Sequence, residues 1–287
     1  MRTNGIVVGA MAAVLGVCSA DAADLAYQPA VKAPIATAAE SWTGWYGGVN
    51  LGGTWNGHQT VDTVSTAFPT AAGALPVNLA DAAAAAATTS IPVKSDRFIG
   101  GGQLGWNFQF DRGWVAGLEA DIQGVAGGGT GSAVTVVPLA LAPVFNYQMT
   151  TTVTKRLDYL GTVRGRLGFL ATPALLVYGT GGLAYGRVST STDLFSLTPA
   201  VTNGPIGASS SFAGTLAGWT AGGGFEWMFL RSWSAKAEYL YYDLGSHSSN
   251  FTLVQPHGGL VAFVNPVQSS TRFDGHIVRL GVNWHFN

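Results

Sequence analysis

One pattern constrains this chain more than any other: eight separate stretches alternate apolar and polar residues, and the connections between them alternate short and long. Strict alternation turns successive side chains to opposite faces of a strand, so each stretch carries one apolar and one polar face. In the first, Trp45, Val49, Leu51 and Trp55 oppose Tyr46, Asn50 and Thr54. In the second, Phe98, Leu104, Trp106, Phe108 and Phe110 oppose Arg97, Gln103, Asn107 and Gln109. The third sets Trp114, Leu118 and Ile122 against Glu119, Asp121 and Gln123, and the fourth sets Leu157, Tyr159, Val163, Leu167 and Phe169 against Arg156, Asp158, Arg164 and Arg166.

The remaining four repeat the theme. Leu175, Val177, Leu183 and Tyr185 mark the fifth, although Leu176 and Tyr178 interrupt its polar side. The sixth carries Trp219, Phe225, Trp227 and Phe229 against Thr220 and Glu226, and the seventh Trp233, Tyr239 and Tyr241 against Ser234, Lys236 and Glu238. The eighth places Val278, Leu280, Val282, Trp284 and Phe286 against Arg279, Asn283 and His285. Asp111-Arg112-Gly113, Leu170 to Pro173 and Leu230-Arg231-Ser232 read as tight turns. Asn56 to Asp96, Ala126 to Thr154, Ser189 to Thr215 and Leu244 to Phe273 read as long loops. An even number of strands with short turns on one side and long loops on the other predicts an all-β, eight-stranded antiparallel transmembrane up-and-down barrel.

A water-soluble antiparallel barrel also alternates, so the apolar face must be assigned inside or outside. Charges recur mid-strand on the polar face, and charged residues make up only 10% of the sequence, below the usual quarter. The apolar face ends in aromatics on both sides, as the girdles of a lipid-embedded barrel do. Trp45, Trp55, Trp106, Trp114, Trp219, Trp227, Trp233 and Trp284 are the expected membrane-interface residues. The separation of Trp45 and Trp55, at about 3.3 Å per residue and about 40° of tilt, spans about 25 Å, the height of a lipid-facing band. The apolar face is therefore expected to meet lipid.

The N-terminus fits export. Arg2, the apolar run Ile6 to Val17 and Ala20-Asp21-Ala22 form the three regions of a signal peptide over residues 1–22. Residues 23–41, with Pro29 and Pro34, read as an extended periplasmic lead-in, leaving 42–287 for the barrel. No later stretch is apolar for long enough to make a membrane helix. Cys18 is the single cysteine and lies within the signal. Val17 is bulkier than the small residue that precedes a lipidated cysteine.

The last strand, Arg279-Leu280-Gly281-Val282-Asn283-Trp284-His285-Phe286, resembles the C-terminal assembly signal of outer-membrane proteins through Arg279, Gly281, Trp284 and Phe286, with Asn287 added after the final aromatic. Ala22-Ala23-Asp24-Leu25, Gly44 to Gly52, Gly181 to Gly186 and Lys236 to Asp243 resemble the alphaproteobacterial small-barrel porin family, related to OmpA-like and opacity proteins. The resemblance implies a bacterial outer-membrane location, with both termini periplasmic and the barrel-assembly machinery as a partner during biogenesis. It does not extend to the loops, so it implies no particular activity.

Eight strands enclose a lumen just wide enough for side chains to fill. Glu119, Asp121, Arg164, Arg166, Glu226, Lys236, Glu238 and Arg279 are the expected lumen charge network, with Arg156 and Asp158 also on the inward face. The expected outcome is a plugged, ion-paired interior and a structural or surface-interaction role; a narrow passive pore or ligand-uptake barrel is the alternative. A lipid A-modifying enzyme is a remote third, resting on His247-Ser248-Ser249-Asn250, which resembles the His-x-Ser-Asn of lipid A deacylases but lacks a following Glu to orient the base. No enzyme activity, cofactor or metal site is expected, since His58, His257, His276 and His285 lack ligand spacing. A net charge of −1 argues against nucleic acid. Outer-membrane lipid and lipopolysaccharide are the expected partners, with any extracellular ligand of the loops unidentified. Ala82 to Ala87 reads as a helical turn or a loop tip.

Overall fold

The computed structural model describes residues 41–94, 96–111, 113–197 and 204–286. The signal peptide, Cys18 and nearly all of the lead-in lie outside the described residues. Eight strands form the ring in chain order: β1 (Gly44–Asn56), β4 (Arg97–Phe110), β5 (Trp114–Ala126), β7 (Ala142–Thr172), β8 (Leu175–Ser196), β9 (Ile206–Leu230), β10 (Trp233–His257) and β11 (Leu260–Phe286). Every neighbouring pair is antiparallel, and β11 pairs back onto β1 from Trp45↔Phe286 to Asn56↔Gly275. The ring is closed, which removes the unpaired edges an open sheet of this size would carry. At its turn end the strands are joined tightly; Asp111 takes φ 45°, a left-handed value that Asp tolerates in turns.

The long connections are not loops. The ring strands continue past the barrel as hairpins, and β2 (Thr60–Ser65), β3 (Thr89–Pro92) and β6 (Gly128–Leu139) join them. The upper parts of β9, β8 and β7 pair in that order and β6 adds to β7, while β3, β2, β11 and β10 pair in a second group. β9 and β10 pair only up to Trp219↔Asp243. Gly245, at φ 82°, lies within the register shift between Asp243 and Ser246 that turns β10 away from β9.

The helix α1 (Ala74–Ala87) lies between these two layers. Its alanine run favours helix and keeps the side chains short enough for close approach. Leu79, Ala80, Ala83 and Ala86 pack on Tyr147, Met149 and Leu194 from one layer, and on Leu253, Phe263 and Val267 from the other. Asn265 ties the helix down: its Nδ2 donates to the Ala80 carbonyl at 2.8 Å, and its Oδ1 accepts from the Phe68 amide at 2.8 Å. Of the two readings of Ala82 to Ala87, a helical turn or a loop tip, the helix is the one observed, as the second half of a 14-residue element.

The fourth alternating stretch needs a correction. Leu157 pairs with Val188 and Tyr159 with Arg187, so Asp158 is an extra residue, a β-bulge in β7. The bulge shifts the parity of everything above it. Leu157 points inward, whereas Arg156 and Asp158, expected in the lumen, lie on the outer wall with side chains 56% and 39% exposed.

Candidate functional site

The site is the interior of the ring. Period-two alternation turns Glu119 and Asp121 of β5, Arg164 and Arg166 of β7, Glu226 of β9, Lys236 and Glu238 of β10 and Arg279 of β11 to one volume, and all are buried. Four cations meet four carboxylates. Glu119 lies opposite Arg164 across the sheet, Lys236 opposite Glu226, and Glu238 opposite Arg279. Arg164 donates from Nη1 to Glu238 at 2.9 Å, from Nη2 to Asp121 at 2.9 Å and from Nε to Thr162 at 2.9 Å, and its Nη2 also bridges to Glu119. Arg279 reaches Glu238 from Nε at 2.8 Å and Asp121 from Nη2 at 2.9 Å. Lys236 donates to both Glu119 oxygens, at 2.8 and 2.9 Å. Arg166 binds Glu226 at 2.7 Å, and its guanidinium lies over the Tyr178 ring at 4.4 Å.

Neutral groups complete the shell. Tyr46 donates to Glu119 at 2.7 Å and accepts from Arg166 at 2.8 Å; Asn283 and Ser234 donate to Glu226. Burying charge is costly unless each charge finds opposite charge and hydrogen bonds together, and here each does. Sequence reading placed Tyr46, Ser234, Asn283 and His285 on the polar face without giving them a part, and missed Thr162. Thr162, Ser234, Asn283 and His285 each share strand parity with a lumen charge, whereas Tyr46 lies on β1, which carries no charge, and is marked only by its place on the polar face.

Two clusters of buried apolar residues flank the network. At the turn end Trp42, fully buried, packs with Val115, Leu176, Tyr178 and Met228, and its Nε1 donates to the Pro173 carbonyl at 3.1 Å. At the hairpin end Ile99, Leu160, Ala184, Leu240 and Ile277 form a second cluster, continued by Tyr242 and Phe273. The apolar residues that interrupted the polar face of the fifth stretch, Leu176 and Tyr178, are part of the first cluster. Trp42 lay just before the first strand, where alternation gave no warning of it.

The other candidate residues sit apart. Trp45, Trp106, Trp114, Trp227, Trp233 and Trp284 cluster on the outer wall near the turns, and Trp55 and Trp219 stand near the hairpins; all are between 37% and 56% exposed. Trp233 and Trp284 meet edge to face at 4.9 Å. In the final strand Arg279 faces the lumen, and Gly281 abuts the Gln103 and Lys236 side chains. Trp284 and Phe286 face outward on the strand that closes the ring. His247 lies stacked on Phe212 at 3.6 Å between ring centres, and the Ser248 hydroxyl donates to Ser270 at 3.2 Å. Among the described residues no carboxylate is bonded to His247, and none of the His, Asp and Glu residues are grouped to hold a metal ion.

Residues 10–286 match the model of the outer membrane protein beta-barrel domain. This chain belongs to that family. Its outer-membrane barrel relatives include the 31 kDa outer-membrane immunogenic proteins of Brucella melitensis biotype 1 and Brucella suis biovar 1. Each is 37% identical over 198 residues, covering 69% of this chain and 70% of the relative. Among solved structures, the outer membrane protein OprG from Pseudomonas aeruginosa aligns over 85% of this chain and 97% of its own, at 11% identity and a TM-score of 0.36. With the family in place, the exposed apolar wall of the barrel is its lipid-facing surface.

Proposed function

We propose that this outer-membrane barrel is a closed, lipid-anchored scaffold whose long hairpins form a surface-contact module, and that it is neither a pore nor an enzyme. The observation that carries the reading is the balanced ionic network with a buried apolar cluster on either side of it. A conducting path needs continuous water, and the Trp42 cluster and the Ile99–Leu240–Ile277 cluster each interrupt it. The network offers no polarised nucleophile and no open pocket for a substrate: every charge is spent on another charge.

In this reading residues 1–22 are a removed signal peptide and 23–41 a periplasmic lead-in. The turn end and both termini are periplasmic, the hairpins are extracellular, and Arg279, Gly281, Trp284 and Phe286 are the segment presented to the barrel-assembly machinery. The contact surface is supported by apolar residues left uncovered at the hairpin tips: Val144 is 87% exposed, and Phe68, Leu141 and Leu260 are also open. Scattered exposed apolar residues are ordinary, but several together at one end of a rigid scaffold suit a protein partner. The test is planar-bilayer recording of refolded protein. Silence is expected, together with steps in a Trp42→Gly variant that also carries Leu240→Gly. Stable wild-type conductance altered by Arg164→Gln would establish the pore instead.

A further inference from the structure

The bulge in β7 leaves two arginines on the outer wall that the lumen network does not use. Arg156 sits just above it and Arg187 faces Tyr159 across the β7–β8 ladder; both side chains are 56% exposed. Asp158 lies between them, but its oxygens are 3.9 Å from Arg156 Nε and 3.7 Å from Arg187 Nε, beyond hydrogen-bond length. Neither guanidinium donates a hydrogen bond to another described residue, so their donor forks remain open, and the trio carries a net charge of +1.

Their height on the barrel gives these donors a meaning. Tyr185 is two residues below Arg187 on the same face, and its ring meets Tyr159 edge to face at 6.5 Å, in the hairpin-side aromatic girdle. Girdle tyrosines mark the level of lipid headgroups, so the arginines stand at or just above it. Below them the Tyr185 ring lies flat over Gly161, where any side chain would collide with it. From Tyr185 a groove of about 420 Å³ descends the lipid-facing wall past Gly102, Leu104, Ala120 and Ile122. A forked cationic pair above an aromatic shelf and an apolar channel matches one kind of molecule: a phosphate-bearing lipid, its phosphate on the guanidiniums and an acyl chain in the groove.

We infer that Arg156 and Arg187 bind a phosphate of lipid A, with one acyl chain seated against Ala120 and Ile122. The choice of lipid A rests on the proposed orientation, because the phosphorylated lipid beside extracellular hairpins is lipopolysaccharide. The bulge then has a role: by inserting Asp158 it turns Arg156 from the lumen to the lipid, beside Arg187, with the carboxylate within 4 Å of both side chains.

The experiment is native mass spectrometry of the refolded full barrel in detergent, titrated with lipid A, with lipid A stripped of its phosphates, or with phosphatidylglycerol. Wild type is expected to retain lipid A. R156Q/R187Q should bind it about thirty-fold more weakly, given about 1 kcal/mol for each basic residue at an anionic lipid surface. Stripped lipid A should lose a similar factor on wild type, and Ala120→Trp, which fills the groove, should weaken binding with both arginines intact. Retained heat-modifiable gel mobility certifies that each variant is folded. Equal lipid A retention by R156Q/R187Q would overturn the site, and equal retention of phosphatidylglycerol by wild type would overturn its assignment to lipid A. Val144→Cys, labelled on intact cells with a membrane-impermeant maleimide, tests the orientation separately. Absence of label would place the site in the other leaflet and overturn the lipid A assignment, whatever the detergent result, whereas bilayer conductance would break the scaffold reading without touching this one.

Discussion

The barrel interior and the hairpin extension are built on the same strands with the same pleat, yet their contents are opposite. Along β11 the inward residues run Phe263, Asn265, Val267, Ser269, Thr271, Phe273, Gly275, Ile277, Arg279, Gly281, Asn283 and His285 without a change of parity. Near the tip they are chiefly apolar and pack on α1; within the ring they end in ions and amides. The outward residues change the other way, from Pro266, Gln268 and Arg272 above to Val278, Leu280, Val282, Trp284 and Phe286 below. Alternation is therefore set by the pleat alone, and what fills each face is set by the solvent outside. Where water surrounds the strands, the apolar face turns in to be buried. Where lipid surrounds them, turning apolar groups inward gains little, and charges occupy the small interior provided that they pair.

The lumen half of this contrast is most exposed to a single change at Arg164. Arg164→Ala leaves Glu119, Asp121 and Glu238 close together with one of their shared cations gone. The expected loss is about 3–5 kcal/mol of barrel stability, the usual result of removing one partner from a buried ionic set, read by urea unfolding in lipid vesicles. A loss under about 1 kcal/mol would mean that water already fills the interior and screens the charges there.

A paired comparison tests the outer faces. Val163 is on the lipid-facing wall, between Ala120 and Leu183 on the neighbouring strands, while Gln268 faces outward on the extension. Val163→Arg is expected to cost about 2–4 kcal/mol, as charge does at mid-membrane on a barrel's lipid face. Gln268→Arg should stay within about 0.5 kcal/mol, as exposed substitutions do. Similar costs at the two positions would remove the distinction between lipid and water on which the contrast depends.

These contrasts also explain how much could be read in advance. The ring was legible because eight stretches each carried enough period-two signal, and short connections fixed the order of neighbours. Eight lumen charges were legible because they alternate, residue by residue, with the apolar and small residues of the opposite face. The extension was not: in it Ser, Thr, Ala and Gly occupy both faces, so strands such as the upper part of β9, Ile206 to Gly218, give almost no contrast between inside and outside. Arg156 was misplaced for a different reason. One inserted residue, Asp158, reverses every face beyond it, and neither composition nor period announces a bulge. Trp42 escaped because its burial comes from packing across the ring on Leu176 and Met228, partners distant in sequence.

The two regions meet at Lys155, on the hairpin side of Tyr159 and outside the lipid-facing band. Its Nζ donates to the His58 carbonyl at 3.3 Å and to the Arg272 carbonyl, and it stands 5.0 Å from the centre of the Phe273 ring. Burial pushes its ammonium down to about 8, an effect that attraction to Asp274 only partly offsets. The sign of the consequence follows from which state holds the proton more tightly. Between pH 8 and the ordinary lysine value of about 10.4 the unfolded chain binds more protons than the folded one, so stability rises with pH across that window. Below it the cost of burying the charge is present in full. Lys155→Met removes this contribution, so wild type should gain on the variant as pH rises from about 8 to about 10. The check is the difference between their urea midpoints, which cancels the titration of tyrosines common to both. A difference that stays flat with pH would mean that water reaches the Lys155 ammonium, and that the seam between the ionic interior and the apolar extension is open there.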